Sequence, residues 1–179
     1  LGISRAPIRE ALQVLVQEGL ITSEPQKGKH VRQMTGKEIY DSYVVAGILE
    51  GAGVAESLPL WTEANMETFR SVVRQMEGKI SYATKLDELA EIDELFHATL
   101  FMACDNTRLV EMARTSCATI SKYLYYQHWI TMFTPREYAD RHHAVAEAVY
   151  SRDVKHVETA LRDHYKETGL RMAQFGKEA

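Results

Sequence analysis

Apolar positions near the start of the chain recur at the spacing of one helix face. The stripe consists of Ile8, Ala11, Leu12, Leu15 and Val16. Ser4 precedes it as a capping residue type, Pro7 falls in the first turn where its missing N–H is harmless, and Gly19 follows as a stop. The pattern predicts a helix that begins at Ser4 and ends near Gly19.

The spacing of apolar positions changes after Gly19. Residues 20–24 and 29–34 have the pattern of short strands, and the segment Pro25-Gln26-Lys27-Gly28 between them has the composition of a turn. These residues predict a β-hairpin with a basic tip.

From Thr35 onward the helical spacing continues to the end of the chain. Thr35 and Glu38 match a capping box, in which two side chains satisfy free backbone donors at a helix start. Helices are predicted at 36–57, 62–82, 85–103, 107–132, 135–151 and 153–175, the last two capped by Thr134 and Asp153. Short connections between long helices favour antiparallel neighbours, so we expect a mainly α protein with an antiparallel six-helix bundle. The predicted domain boundary separates residues 1–34 from 35–179.

The net charge of −4 is unevenly distributed along the chain. The first 37 residues contain six Lys and Arg against three Glu, so a basic segment precedes an acidic body. This division indicates that the first segment meets a polyanion. No stretch approaches the ~18 apolar residues of a membrane span and no signal-peptide pattern occurs, so we expect a soluble, cytoplasmic protein without a membrane partner.

The most specific motif is Leu1-Gly2-Ile3-Ser4-Arg5-Ala6-Pro7-Ile8-Arg9-Glu10-Ala11-Leu12, followed by Leu15, Glu18-Gly19-Leu20-Ile21 and Gly28. It resembles the recognition helix and wing of the GntR family of bacterial transcription regulators. The resemblance implies a partial winged helix-turn-helix whose helix, beginning at Ser4, enters the major groove of double-stranded operator DNA. It implies that Arg5 and Arg9 contact bases or phosphates and that Gly28 approaches the minor groove. For Lys27, phosphate contact and plain solvent exposure both stay open.

The family's winged domain begins with two helices that this sequence does not contain. We therefore expect a truncated winged domain, in which the apolar stripe of the first helix lacks part of its packing. DNA binding is assigned to the intact protein. Because operators of the family are near-palindromic, the resemblance also implies a homodimer.

Ionisable residues lie on otherwise apolar stripes of three predicted body helices. Asp93 and His97 are one turn apart on the third body helix, His142 lies on the fifth and His164 on the sixth. A single buried histidine is usually a hydrogen-bonded core residue, but four such groups directed at one interior must satisfy each other or share an ion. One carboxylate and three imidazoles suit a divalent transition metal such as zinc, nickel, iron or manganese.

Two alternatives remain open for this cluster. His143 could replace its neighbour His142 as the ligand. We prefer His142, because the helical neighbours of His143, Ala146 and Glu147, indicate a less buried face. The three histidines could also form a metal-free polar pocket for an organic ligand.

Residues 36–175 resemble the FCD ligand-binding domain of the FadR subfamily, with an Asp-x-x-x-His pair at Asp93 and His97 and later histidines at 142 and 164. The resemblance implies a metal that helps to bind the carboxylate of a small effector. Family members often carry an arginine where this chain has Ala46. The carboxylate clamp is therefore either missing or supplied elsewhere, with Lys122, Tyr123 and Tyr126 as candidates.

A metalloenzyme is the main competing class. A mononuclear hydrolase on the helical bundle would need a general base beside the metal, for which Glu91 and Glu94 are candidates. The spacing from Glu94 to His97 occurs in di-iron bundles, but those proteins need a second such motif, which the sequence lacks. An enzyme would also leave the recognition helix unexplained. We expect a ligand-responsive regulator and not an enzyme.

Overall fold

The computed structural model describes residues 4–178, so the Leu1-Gly2-Ile3 part of the motif lies outside the described residues. The N-terminal part consists of helix α1 (Arg5–Gln17) and two strands, β1 (Ile21–Glu24) and β2 (Gly28–Val31). The strands pair in antiparallel register, with Ile21 opposite Val31. The predicted helix and hairpin are confirmed.

Two details at the ends of these elements differ from expectation. Ser4 occupies the N-cap position of α1, but its side chain makes no capping hydrogen bond. Strand β2 ends at Val31, which pairs with Ile21, the first residue of β1, and not at residue 34. The backbone of Met34 is bound instead by the side chain of Tyr125. Gly19 ends the helix as predicted, with a φ of 73° that glycine adopts without a Cβ penalty.

The apolar stripe of α1 is only partly covered within the described residues. No residue of this helix is buried, and Ile8 is 40% exposed. Leu12, Leu15 and Val16 are half-buried.

The rest of the described chain forms a helical bundle. Its α-helices are α2 (Gly36–Ser57), α3 (Glu63–Ile80), α4 (Ala90–Leu100), α5 (Thr107–Ser116), α6 (Tyr126–Trp129), α7 (Pro135–Ser151) and α8 (Val154–Ala173). Short 3-10 helices at Leu58–Leu60 and Leu86–Leu89 precede α3 and α4. The predicted caps of α2, α7 and α8 are confirmed: Thr35 and Thr134 form capping boxes with Glu38 and Glu137, and the carboxylate of Asp153 accepts two backbone N–H bonds.

The continuous helix predicted at 107–132 is wrong. After α5 the chain turns at Cys117, forms a π-helical segment at Ile120–Leu124 and resumes as the short α6. Ile120 is buried in the core, and the hydroxyl of Tyr125 binds the backbone of Met34. A turn closed by an i→i+5 bond brings these two side chains nearer to the same side of the helix than an ordinary turn would. Tertiary contacts therefore override the regular helix.

Helix α2 packs chiefly along α8 and α5. The segment Gly36–Leu60 is long and apolar enough to cross a membrane by length and composition alone, a test that core helices also pass, and half of its most apolar window is buried in the bundle. A large core cluster, centred on Phe69, Phe96 and Leu161, fills the space among α3, α4, α7 and α8. A smaller cluster around Ile39, Ile120 and Met172 lies beside the start of α2.

Candidate metal and effector site

Four ionisable side chains from three helices converge inside the bundle. Helix α4 carries Asp93 and His97, α7 carries His142 and α8 carries His164. Ligating nitrogens of the three histidines all lie within 4.8 Å of one another. The Oδ1 atom of Asp93 is 3.1 Å from Nε2 of His142 and 4.0 Å from Nε2 of His97. The structure therefore brings all four predicted ligands together.

A backbone hydrogen bond determines which nitrogen of His142 faces this cluster. Nδ1 lies 2.8 Å from the backbone oxygen of Tyr138, which can only accept, so Nδ1 carries the proton. Burial lowers the pKa of His142 and favours the neutral ring. In this ring Nε2 carries a lone pair that is directed at Asp93. Burial acts to raise the pKa of Asp93, but the hydrogen bond to His142 and the charge of His97 lower it overall, so the carboxylate is ionised. A lone pair facing a carboxylate requires either a proton or a metal ion between them.

His97 is held by a second carboxylate on the opposite side of its ring. Its Nδ1 atom lies 2.6 Å from Oε1 of Glu50, while Nε2 is directed toward Asp93. Burial acts to lower the pKa of His97, but the charge and hydrogen bond of Glu50 raise it to about 9. A carboxylate bound to the outer nitrogen is the usual support of a metal-binding histidine.

His164 offers a nitrogen that the protein itself does not satisfy. Its Nδ1 atom is buried and has no hydrogen-bond partner within residues 4–178. Burial and the neighbouring imidazole of His142 lower the pKa of His164 well below its ordinary value, so the ring is neutral. A buried nitrogen without a partner is costly, and binding to a metal ion would satisfy it. This observation fits the donor set to a metal.

The four side chains contribute to the wall of a cavity of about 420 Å³, a size within the range of small-molecule sites. Apolar side chains, including Leu86, Phe101, Trp129 and Phe133, cover much of the wall. The cavity can therefore enclose an organic molecule whose polar group meets the histidines.

Arg141 is the buried cation of this cavity. Its side chain is 12% exposed, Nε donates to Glu167 at 2.9 Å and Nη2 donates to Thr168 at 2.7 Å and to the backbone oxygen of His164. The guanidinium lies 4.0 Å from the ring centre of Phe133, in cation–π contact. Burial lowers the pKa of Arg141 against the effect of Glu167, although an arginine stays charged throughout the physiological range.

The three residues expected to bind the effector are placed differently. Lys122 and Tyr126 line the cavity, and Lys122 also pairs with Glu94 at 2.9 Å. Tyr123 is 64% exposed and is not part of the cavity wall, so its assignment is corrected. It lies within the π-helical segment Ile120–Leu124, of which only Ile120 is buried.

His143 points away from the four-residue cluster. Its Nε2 atom lies 3.2 Å from Glu77 on α3, and it lines a separate cleft between α3 and α7. Ala146, expected on a less buried face, is only 1% exposed. His142 belongs to the cluster and His143 does not because their side chains point in different directions. The burial of the neighbouring residues does not distinguish the two histidines.

The predicted DNA-contacting residues all lie on the surface of the N-terminal part. Arg5 and Arg9 are exposed and one turn apart near the start of α1, next to Ser4. Lys27 is exposed at the hairpin tip, where its ammonium group pairs with Glu24 at 3.0 Å. Gly28 has a φ of 91° and has open space around its Cα atom. The N-terminal part thus exposes two arginines near the start of α1 and a lysine at the hairpin tip.

Comparison with known proteins agrees with both parts of the chain. The profile of the FCD domain matches residues 41–167, and that of the gntR family of bacterial regulatory proteins matches residues 1–31. The chain belongs to the GntR family and carries an FCD domain.

Curated relatives and solved structures extend this result. The HTH-type transcriptional repressor RspR of Escherichia coli is 26% identical over 180 residues, covering 99% of this chain and 77% of RspR. The Nta operon transcriptional regulator of Aminobacter aminovorans is 28% identical, covering 79% of this chain and 65% of that protein. A GntR-family regulator from Pseudomonas syringae has a TM-score of 0.65 at 22% identity, covering 97% of this chain and 71% of the other. For McbR/YncC of E. coli the TM-score is 0.74 at 17% identity, with coverages of 98% and 87%.

These comparisons confirm the predicted fold and general function. The GntR–FCD chain is a DNA-binding transcription regulator and not an enzyme. Its mainly helical architecture with a two-stranded wing matches the solved GntR structures.

Sequence analysis missed two charged residues of the site. Glu50 is the only charged residue in the segment 47–51, where it is flanked by Gly47, Ile48, Leu49 and Gly51. A single carboxylate among apolar and small residues is the signal that could have identified it as buried. Arg141 directly precedes His142 and gave no signal, because an arginine on an amphipathic helix is ordinarily solvated.

Proposed function

We propose that this GntR–FCD regulator binds operator DNA as a homodimer and responds to a small carboxylate that enters the bundle cavity beside a divalent metal. One observation supports the response to an effector: Asp93 and three histidines converge on a cavity of about 420 Å³. Within this cluster, Nδ1 of His164 has no hydrogen-bond partner among the described residues.

Asp93, His97, His142 and His164 would hold the metal. Three imidazoles and one carboxylate favour zinc, nickel, iron or manganese over calcium, which prefers oxygen ligands. When bound, the metal would supply a Lewis acid that attracts the carboxylate of the effector. Burial keeps the rings of His142 and His164 neutral. Hydrogen bonds at the Nδ1 atoms of His97 and His142 direct the Nε2 atoms of these two rings inward.

Arg141, together with Lys122 and Tyr126, would bind the effector. The Nε and Nη2 atoms of Arg141 have fixed partners, while Nη1 has none among the described residues and is the donor left for an anion. Ala46, at the position where family members often carry an arginine, is fully buried and offers no charge. The positive charge comes instead from α7.

The N-terminal part would read the operator. The start of α1 presents Ser4, Arg5 and Arg9, and the wing presents Lys27 and Gly28. An arginine at the start of a recognition helix can pair bidentately with guanine, and a helix N-terminus attracts phosphate. Residues 1–34 would form the DNA-reading domain and residues 35–179 the effector domain. A DNA-binding regulator of this kind acts in the cytoplasm.

The DNA-binding proposal is tested by Arg9→Ala in the full-length protein. If Arg9 contacts a base, affinity for an operator selected from random duplex DNA should fall by about 1–3 kcal/mol, with relaxed specificity at one base pair. Arg108→Ala is the matched control, because Arg108 is 78% exposed on α5. Equal operator affinity and salt dependence for Arg9→Ala and the wild type would contradict the assignment.

The metal proposal is tested by elemental analysis of the purified protein and of His164→Ala and Asp93→Ala. Each substitution removes a ligand and should lower the metal content and the rise in melting temperature on metal addition. His156→Ala is the control, since His156 lies exposed at the start of the same α8. If neither ligand variant changes the metal content, the cluster is a polar network without an ion.

A further inference from the structure

Glu50 is a buried carboxylate on helix α2. It is 3% exposed and lies on α2 between Gly47 and Gly51, with no Lys or Arg side chain among its hydrogen-bond partners in the described residues. Removing a carboxylate from water is costly unless other groups compensate it. A charged residue, whose burial costs free energy, thus occupies a position where an apolar residue would pack.

Two side chains from other helices compensate this charge. Oε1 of Glu50 lies 2.6 Å from Nδ1 of His97 on α4, and Oε2 accepts a hydrogen bond from the hydroxyl of Tyr165 on α8 at 2.7 Å. The same hydroxyl lies 3.5 Å from Nδ1 of His97. Glu50 is therefore bound on both oxygens, and each bond acts on the orientation of the His97 ring.

The packing of α2 against α8 makes this arrangement possible. A Cβ atom on Gly47 would lie 2.8 Å from Cβ of Tyr165, so only glycine permits this approach of the two helices. Tyr165 directly follows His164 in the chain, and its ring lies 5.5 Å from that of His97. The close approach places the tyrosine where its hydroxyl reaches Glu50.

We propose that Glu50, held by Tyr165, is the positioning residue of the metal site: it accepts a hydrogen bond from Nδ1–H of His97 and directs Nε2 of that ring toward the metal-binding position. This inference rests on the metal site of the proposed function. An imidazole whose outer N–H is bound by a carboxylate has a fixed tautomer and a more basic inner nitrogen, and loss of such a partner typically weakens metal binding about 10–100-fold. A purely structural role would join α2, α4 and α8 without affecting the ion.

The test compares metal binding and folding in full-length Glu50→Gln, with Zn²⁺ and Co²⁺ as probes. Glutamine keeps the size and one acceptor oxygen but removes the charge. The dissociation constant for Zn²⁺, measured by competition with a chromophoric chelator, should rise about 10–100-fold. The visible absorption spectrum of the Co²⁺ form should shift, because the ligand field depends on the orientation and basicity of His97. Glu56→Gln, exposed on the same helix, should leave both readouts at wild-type values.

Tyr165→Phe provides a second variant if Glu50→Gln fails to fold. It removes one bond to Glu50 and leaves the carboxylate in place, so the Zn²⁺ dissociation constant should rise by less. Unchanged Zn²⁺ affinity and Co²⁺ spectrum in a folded variant, with only the metal-free melting temperature lowered, would overturn the positioning role while leaving the metal site intact. Absence of Zn²⁺ and Co²⁺ binding by the wild type would instead overturn the metal site, and the inference with it.

Discussion

His142 and His143 are adjacent in the chain but have unlike surroundings. His142 is 1% exposed, and its ring lies 3.9 Å from that of Tyr138 and 5.0 Å from that of Phe96. His143 is turned about 100° farther around α7 and faces Glu77. One residue of helical rotation thus decides which imidazole joins the cluster.

This difference predicts opposite results for two neighbouring substitutions. His142→Ala should remove most of the bound metal and the metal-dependent rise in melting temperature, because it deletes an interior nitrogen. His143→Ala should leave the metal content near that of the wild type. Elemental analysis of both purified variants measures this, and the reverse pattern would assign the ligand to His143.

Single residues also show what periodicity can and cannot predict. Asp93 and His142 were identifiable because ionisable residues interrupted apolar stripes. Glu50 offered a weaker signal, a single carboxylate among apolar and small residues. Arg141 offered none, because charged residues ordinarily mark the solvated face of a helix, and only the three-dimensional packing shows that its side chain is just 12% exposed. Tyr123 was misplaced because regular helical spacing does not continue through the π-helical segment.

At the scale of elements, glycine permits the close packing of α2 and α8. A Cβ atom on Gly169 would lie 2.8 Å from Cβ of Tyr43. Both residues are buried, and Tyr43 also lines the cavity. The spacing of these helices therefore depends on a missing side chain.

Gly169→Ala should destabilise the protein by about 1–3 kcal/mol, because the new methyl group forces the two helices apart. Gly78→Ala is the matched control: Gly78 is exposed on α3, and no atom lies within 4 Å of the position that its Cβ would occupy. This control should stabilise the protein by about 0.5–1 kcal/mol through helix propensity. Urea unfolding of both variants measures the difference, and equal effects would contradict the packing argument.

The capping box of α7 predicts a pH-dependent contribution to stability. Hydrogen bonds from the backbone and hydroxyl of Thr134, aided by Arg171, lower the pKa of Glu137. A carboxylate whose pKa is lowered on folding stabilises the protein above its ordinary pKa, and this contribution is lost as the pH falls through the lowered value. Glutamine can still form the capping box but carries no charge.

Glu137→Gln should therefore melt below the wild type at neutral pH, and the gap should close once the pH falls below the lowered pKa, where the wild-type carboxyl is protonated. Thermal unfolding at several pH values from neutral to strongly acid measures the gap. A gap of constant size across this range would show that the ionised form makes no special contribution.

Elements with strong local signals were predictable, and those decided by distant contacts were not. Three predicted caps were confirmed because Thr35, Thr134 and Asp153 satisfy backbone donors in their own helices. The interruption of the helix predicted at 107–132 depends on residues far away in the chain. No local pattern could indicate it.

At the scale of the whole molecule, the polar contacts between residues 4–34 and the bundle concentrate at one short connection. The hydroxyl of Tyr125 accepts from the backbone N–H of Met34 at 2.9 Å and lies 3.2 Å from its backbone oxygen. The same oxygen accepts from the backbone N–H of Lys177 at 2.9 Å. Beside it, Arg32 pairs with Glu38 at 3.3 Å. The connection is thus fixed to the π-helical region and to the end of the chain.

Tyr125→Phe should loosen this connection without disturbing the bundle. Phenylalanine keeps the ring but removes both bonds to Met34, and each bond contributes about 0.5–1.5 kcal/mol. Backbone amides of residues 32–36 should therefore exchange with deuterium faster, while those of α7 and α8 exchange at wild-type rates, as measured by mass spectrometry of peptic fragments. Tyr123→Phe is the control, because that hydroxyl lies on an exposed side chain of the same segment. Unchanged exchange at residues 32–36 in Tyr125→Phe would mean that Lys177 and the Arg32–Glu38 pair hold the connection by themselves.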